Sequence, residues 1–198
     1  MKKIVIITGS LGLVGMETSK FFCNKNFHVI GIDNDMRNYF FKSSVLKNKH
    51  YLKSTFRNYS HYFFDIRNKK KVTELFKYFS KKIVLTIHCA AQPSHDWAVK
   101  EPITDFEINA NGTLNILNAQ NKYAPNATFI FMSTNKVYGD ASNRFRFVEK
   151  KTRYDLSYSN KYKKYGIPET FSIDQSKHSL FGASKLSADI LVQEFGRY

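Results

Sequence analysis

KIVIITGSLGLVG, from Lys3 to Gly15, is the stretch that decides the fold. Lys3 to Thr8 is rich in β-branched residues and reads as a buried strand, and it runs directly into Gly9, Gly12 and Gly15. From Leu13 to Asn24 the apolar residues return at helical spacing, with Val14, Thr18, Phe21 and Phe22 expected on one face. A strand, a glycine turn and a helix start in that order make an anion site. The first helical amides have no partner within the helix, and the positive end of its dipole points the same way. Glycine permits the sharp turn and lets a pyrophosphate reach the backbone, and the third glycine lets helix and strand pack closely. Gly9, Gly12, Leu13, Val14 and Gly15 are therefore the expected phosphate-side residues.

The spacing G-x-x-G-x-x-G is one residue longer than the usual dehydrogenase fingerprint. About twenty residues on, Asp33 closes a second strand, His28 to Asp33, with Asn34 beside it. A carboxylate at that place accepts hydrogen bonds from adenosine ribose hydroxyls and repels a 2′-phosphate, which favours NAD over NADP. Loop and acid in register point to a dinucleotide site, with Asn34 next to the acid.

Outward from this pair, strand and helix signals alternate. A third strand is expected over His61 to Asp65 and a helix over Lys69 to Phe79. The run from Ile83 to Cys89 is apolar almost throughout, as in a strand covered on both faces. Pro102 opens a long helix to about residue 121, with Ile103, Phe106, Ala110, Leu114 and Leu117 as its main stripe. Ala127 to Ser133 reads as a fifth strand, Asn143 to about Gln175 as a long irregular active-site loop, and Phe181 to Phe195 as a last helix. The alternation implies an α/β class, a doubly wound parallel sheet with right-handed crossovers.

Composition narrows the function classes. Hydrophobic residues at 42% and charged residues at 24% describe a globular chain, and no apolar run reaches the ~18 residues of a membrane span. The glycines that interrupt the first apolar stretch rule out a secretory signal, and Cys23 and Cys89, within apolar segments, read as reduced thiols of a cytoplasmic protein. The net charge of +15 would suit nucleic acid, but the lysines are spread along the chain together with Asn, Ile, Phe and Tyr, residues that share AT-rich codons. No nucleic-acid or membrane partner is expected. Tyr39-Phe40-Phe41-Lys42 could stack bases, yet no binding-module framework surrounds it. No His, Cys and carboxylate set has metal-ligand spacing, so no metal is expected.

The order of motifs resembles the extended short-chain dehydrogenase/reductase family, the NAD-dependent epimerases and dehydratases. Thr8 to Gly15, Asp65-Ile66-Arg67, Ala90-Ala91-Gln92, and Asn109 with Gly112-Thr113 carry the resemblance across the chain. AAQPSHDWA from Ala90, MSTNKVYGD from Met132 and IDQSKHSLFGASK from Ile173 bring it closer to a branch of nucleotide-sugar enzymes, the CDP-paratose 2-epimerase type. The resemblance implies a Rossmann fold, NAD as cofactor and a CDP-sugar as substrate, its carbinol oxidised to a ketone and reduced again on the other face. It places Asp65 and Ile66 at the adenine and Ala90, Ala91 and Gln92 along the cofactor. It puts Thr134 at the reacting hydroxyl and Lys185 on the nicotinamide ribose, where its ammonium would favour a phenolate. His95 and Lys136 are the candidate substrate contacts, and His178 is read as structural. The resemblance also implies a homodimer through helices 102–121 and 181–195, with Ile108, Ile116, Ala119, Ala188 and Leu191 off the sheet-facing stripes.

Two departures qualify these implications. Phe181 stands four residues before Lys185, where the family pattern Tyr-x-x-x-Lys has its catalytic tyrosine. A phenyl ring takes no proton, so either another group such as Tyr138 or His178 substitutes or the branch does different work. The chain also ends at Tyr198, on the helix of Lys185, where the family continues with a sixth strand and a smaller substrate domain. The expected domain is thus 1–198, a NAD-binding Rossmann domain truncated before those parts.

Overall fold

The computed structural model describes residues 3–198. Five parallel strands form one sheet: β1 (Ile4–Thr8), β2 (His28–Asp33), β3 (Tyr59–Phe63), β4 (Ile83–His88) and β5 (Thr128–Phe131), in the spatial order β3-β2-β1-β4-β5. The central strand β1 is buried at every residue, and its alternating side chains enter two cores. Ile4 and Ile6 pack with Ile30, Ile32, Val72, Phe76 and Ile116 on one face. Val5 and Ile7 pack with Leu11, Cys23, Val29, Leu52 and Ile87 on the other. Both faces being covered explains the unbroken apolar reading of β1 and β4.

Helices α1 (Leu13–Asn24), α2 (Met36–Phe41), α3 (Leu46–Thr55) and α4 (Lys69–Phe79) connect the first four strands. Strand order reverses at β1, where β2 leaves on one side and β4 on the other. The carboxyl ends of β1 and β4 therefore open the crevice in which doubly wound sheets bind ligands.

Several sequence expectations change in detail. The face of α1 turned to the sheet is Gly15, Ser19 and Cys23, while Val14 and Phe21 are exposed. Small side chains win that face because the helix lies against the Gly9 turn with no room for larger ones. The third strand begins at Tyr59 and ends at Phe63, two residues earlier than expected, which leaves Asp65 free in the turn after it. The fifth strand is only Thr128–Phe131.

A short helix, α5 (His95–Lys100), ends at Glu101, and the long helix follows as α6 (Pro102–Phe106), one wide turn over Glu107–Asn111, and α7 (Gly112–Tyr123). Its buried residues include Asp105, Ile108, Asn109, Ala110, Thr113, Ile116, Leu117 and Ala119, whereas Ile103 and Phe106 face outward. The expected stripe thus holds at Ala110 and Leu117 and fails at Ile103 and Phe106, while Ile108, Ile116 and Ala119, expected off it, are buried too. Buried polar residues Asp105, Asn109 and Thr113 share the inner face, and apolar periodicity alone cannot register them. Ala188, expected off the inner face of the last helix, is buried as well. Within the loop expected over 143–175, a short hairpin forms from β6 (Phe147–Glu149) and β7 (Tyr154–Leu156). The last helix, α8 (Ser179–Arg197), extends two residues beyond the expected span at each end.

Candidate cofactor and active site

The phosphate turn is shaped by what surrounds its glycines. Gly9 has φ +64°, a left-handed conformation, and a Cβ there would stand 2.7 Å from Ala90 N. A Cβ on Gly15 would lie 2.1 Å from Gly9 O, so only glycine lets α1 approach the turn. Gly12 differs. Its backbone is extended, at φ −73° and ψ 175°, and a Cβ would meet nothing closer than Gly9 O at 3.3 Å. The protein itself tolerates a side chain at Gly12, and the open space before it belongs to the cleft. No side chain caps α1, so the amides of its first turn face that space.

A cavity of ≈ 290 Å³ extends from this turn. Gly9, Gly12, Leu13, Val14 and Gly15 form one side, Asp33 and Asn34 a second, Asp65 and Ile66 a third, and Ala90 and Ala91 the fourth. Asp33 is fixed from behind: its Oδ2 accepts the Leu11 N–H at 3.0 Å and its Oδ1 the Asp35 N–H at 2.9 Å. Burial raises its pKa above the usual carboxylate range, and the two N–H donors oppose that rise. Asn34 donates to Asp65 Oδ2 at 2.9 Å, which ties the end of β2 to the turn after β3. Arg67 grips the same carboxylate at 2.8 Å.

Gln92 does not line the cavity. It is 1% exposed, and its amide donates to Asp105 Oδ1 at 2.7 Å and Ser94 O at 2.8 Å. Asn109 donates to Gln92 O and to Asp105, and Ser184 donates to Asp105 Oδ2 at 2.5 Å. This buried polar cluster ties the end of β4 to α6 and α8. The hydrogen-bonding groups of the Gln92 side chain are satisfied within this cluster.

Residues that sequence reasoning passed over complete the cavity: Met36, Arg37, Phe40 and Phe41 from α2, with Phe64, Pro93 and Ile108. Arg37 lies over the Phe41 ring, 5.3 Å from its centroid. The signal is present in Tyr39-Phe40-Phe41-Lys42, which the sequence offers only as possible base-stacking residues. Their place directly after Asp33 is what brings them to the cavity. Trp97 fastens α2 to α5 by donating to Phe40 O at 2.7 Å.

Around α8 the remaining candidates assemble. Lys185 is 3% exposed, donates to Met132 O at 2.8 Å and sits 4.1 Å from the Phe131 ring centroid. Burial pushes it down to about 8. Thr134 caps the turn Asn135–Tyr138 by accepting the Lys136 N–H at 3.3 Å. Phe181 is buried, and the ring against it is His95, at 4.9 Å between centroids. His95 Nδ1 is 3.1 Å from Ser179 Oγ, while Lys136 is exposed and its carbonyl lies against Gly182. Of the alternatives to the tyrosine, His178 Nε2 is 2.9 Å from Ile173 O, and the Tyr138 ring packs on Phe171. Cys23 and Cys89 are free thiols pushed up to about 11 by burial. Among the described residues no group of three metal-ligating side chains gathers.

A family model described as the NAD dependent epimerase/dehydratase family matches residues 5–197. The chain belongs to that family. It is 34% identical over 194 residues to CDP-paratose 2-epimerase of Salmonella typhi, covering 98% of this chain and 53% of that protein. It is 29% identical over 146 residues to UDP-glucose 4-epimerase of Mycoplasma genitalium, covering 73% of this chain and 39% of that protein. The fold matches that of Thermus thermophilus UDP-glucose 4-epimerase, solved in complex with NAD, with a TM-score of 0.70 and 22% identity over 98% of this chain and 51% of that chain. The chain spans about half the length of the Salmonella relative. NAD is the cofactor, and the residues fit it: a cradle that excludes Cβ atoms at Gly9 and Gly15, open amides on α1, and a pinned carboxylate at Asp33. Among the described residues no helix is long and apolar enough to cross a membrane.

Proposed function

We propose that residues 1–198 form the NAD-binding half of a nucleotide-sugar epimerase of the CDP-paratose 2-epimerase kind. One observation carries this reading. Three segments that resemble that branch, far apart in sequence, meet at one place: His95 contacts Phe181 and Ser179, and the Lys136 carbonyl abuts Gly182. The reaction removes hydride from a sugar carbinol carbon and the proton from its hydroxyl, leaving a ketone, then returns both with hydride on the opposite face. NAD, when bound, takes that hydride and gives it back. Gly12 and the first amides of α1 hold the pyrophosphate, and Asp33 accepts the adenosine ribose hydroxyls. Asp65 and Ile66 flank the adenine, with Ala90 and Ala91 along the cofactor. Thr134 binds the reacting hydroxyl, Lys185 orients the nicotinamide ribose, and His95 and Lys136 contact the sugar nucleotide.

Phe181 favours a second reading, a dinucleotide-binding module without turnover. The buried phenyl ring preserves packing and provides no proton acceptor, and positioned acid–base catalysis is worth about 10²–10⁴-fold. Calorimetric titration with NAD and chromatographic product analysis of CDP-paratose incubations, on this chain and on one joined to a substrate domain, separate the two. NAD binding without turnover by this chain is the expected result. Epimerised product would assign proton transfer to a group other than residue 181, and the absence of NAD binding would remove both readings.

A further inference from the structure

His88, the last residue of β4, is 1% exposed and has both ring nitrogens paired. Its Nδ1 lies 2.5 Å from Thr8 Oγ1 and its Nε2 2.9 Å from Thr113 Oγ1. The direction of each bond follows from the ends of the chain. Thr113 Oγ1 is 2.6 Å from Asn109 O, a carbonyl that only accepts, so the single hydroxyl proton of Thr113 is committed there. Thr113 must then accept from the imidazole, which puts the ring proton on Nε2. Nδ1 is left to accept, and it takes the hydroxyl proton of Thr8. Thr8 Oγ1 in turn accepts the N–H of Ala90 at 3.1 Å. The other tautomer would turn a bare Nε2 toward an oxygen whose proton is already used, at the cost of an unsatisfied buried atom. A charged ring is opposed too: burial, helped by the Lys185 ammonium, pushes His88 down to about 3.

One end of this chain lies beside the Gly9 turn and the other beside the helix of Lys185. Thr8 immediately precedes Gly9, and Ala90 is the residue whose backbone Gly9 nearly touches. At the far end, Asn109 donates through Nδ2 to Ser184 Oγ at 3.0 Å, one residue before Lys185. We propose that His88, as the neutral Nε2–H tautomer, is a positioning residue that sets the distance between the phosphate turn and the Ala90-Ala91 wall and carries that register to the helix of Lys185. It touches no bound group itself. The inference rests on the reading of the cleft as the NAD site.

The test uses the full chain. Nitrogen-15 spectra of the imidazoles at neutral pH are expected to show His88 protonated on Nε2 and bare on Nδ1. A proton on Nδ1, or on both, overturns the proposal. Thr113 lies outside the cavity wall, so Thr113→Val keeps the side chain's shape and removes the only acceptor for the His88 N–H. NAD affinity by calorimetry should fall about tenfold, the size expected when one buried donor loses its partner. Thr113→Ser restores the hydroxyl and should restore both the affinity and the Nε2–H spectrum. A folded Thr113→Val protein with unchanged affinity overturns the proposal, as does a Thr113→Ser protein that binds as weakly as the valine variant. If the valine variant does not fold, the spectrum and the serine variant still decide. Failure of the unmodified chain to bind NAD would instead defeat the reading of the cleft.

Discussion

Gly12 and Gly15 belong to one motif, yet the structure assigns them different costs. A Cβ on Gly15 would sit 2.1 Å from Gly9 O, 2.7 Å from Gly9 C and 2.9 Å from Ser10 Cα, all backbone atoms. Gly15→Ala must push α1 outward by about 1 Å, an overpacking that costs roughly 3 kcal/mol at the upper end of its range. The gain in helix propensity returns up to about 1 kcal/mol. The net loss of about 2 kcal/mol lowers the melting temperature by roughly 4–8 °C for a chain of this size. Gly12→Val meets only one atom, at 3.3 Å, from an extended backbone. Its effect on stability stays within about 1 kcal/mol, since fewer unfolded conformations offset any strain. Its side chain does occupy the approach to the α1 amides. Losing two charge-assisted hydrogen bonds, at about 1.5–3 kcal/mol each, weakens NAD by roughly 10²–10⁴-fold. Thermal melts and calorimetric titration with NAD on both variants check the pair. Normal NAD binding by Gly12→Val would show that the turn is not the phosphate site. An unchanged melting temperature for Gly15→Ala would show that the helix does not lie as close as described.

Three further outcomes are expected. Asp33→Ala should weaken NAD and narrow the preference over NADP, since the carboxylate that repels a 2′-phosphate is gone; equal affinity of the unmodified chain for both cofactors contradicts this. Lys185, pushed down to about 8 from 10.5, makes the unfolded chain bind more protons than the folded one between those values. Relative to Lys185→Met, the unmodified chain should therefore gain stability as pH rises from 8 to 10.5, by about 3 kcal/mol at most, in denaturant titrations across that window; a flat difference refutes the burial of the charge. Ile103 and Phe106 on α6 and Leu180 and Ile190 on α8 are exposed apolar residues, and we propose that they form a two-fold helical interface. Sedimentation should show a dimer that Phe106→Glu shifts to monomer, and a monomer at every concentration refutes it.

The strand–turn–helix at the start is legible because its constraints are local. A run of β-branched residues, a glycine with positive φ and a helix start are all written between Lys3 and Gly15, and α1 falls on its expected span. Faces of helices are less legible. The apolar stripe through Ile103 and Phe106 looks like the buried one because the inner face holds Asp105, Asn109 and Thr113, whose burial depends on partners such as Gln92, Ser184 and His88. Those partners come from strands and helices distant in sequence, so no periodicity within the helix reveals them. The same holds for α1, where Gly15, Ser19 and Cys23 carry almost no hydrophobic signal and are buried for being small.

Phe181 shows how far a motif reading extends. In sequence it is a tyrosine pattern lacking one hydroxyl, and Tyr138 and His178 offer themselves as substitutes because they lie on the loops that lead to α8. In space the Tyr138 ring packs on Phe171 and His178 pairs with Ile173 O, and the ring against Phe181 is that of His95, brought over from the β4 side by α5. Its position depends on the Trp97 bond to Phe40 and on the Ser94 cap at the start of α5, two contacts with no signature in the Tyr-x-x-x-Lys segment. A change at residue 181 therefore acts on the packing of α5 as well as on the lost proton acceptor. For that reason residue 181 and His95 must be varied together, with His95→Gln tested in both the Phe181 and the Phe181→Leu backgrounds. If the two changes prove additive in the melting temperature, the contact between the rings contributes nothing to holding α5. A shortfall from additivity of about 0.5–1.5 kcal/mol is the size that an edge-on aromatic pair predicts.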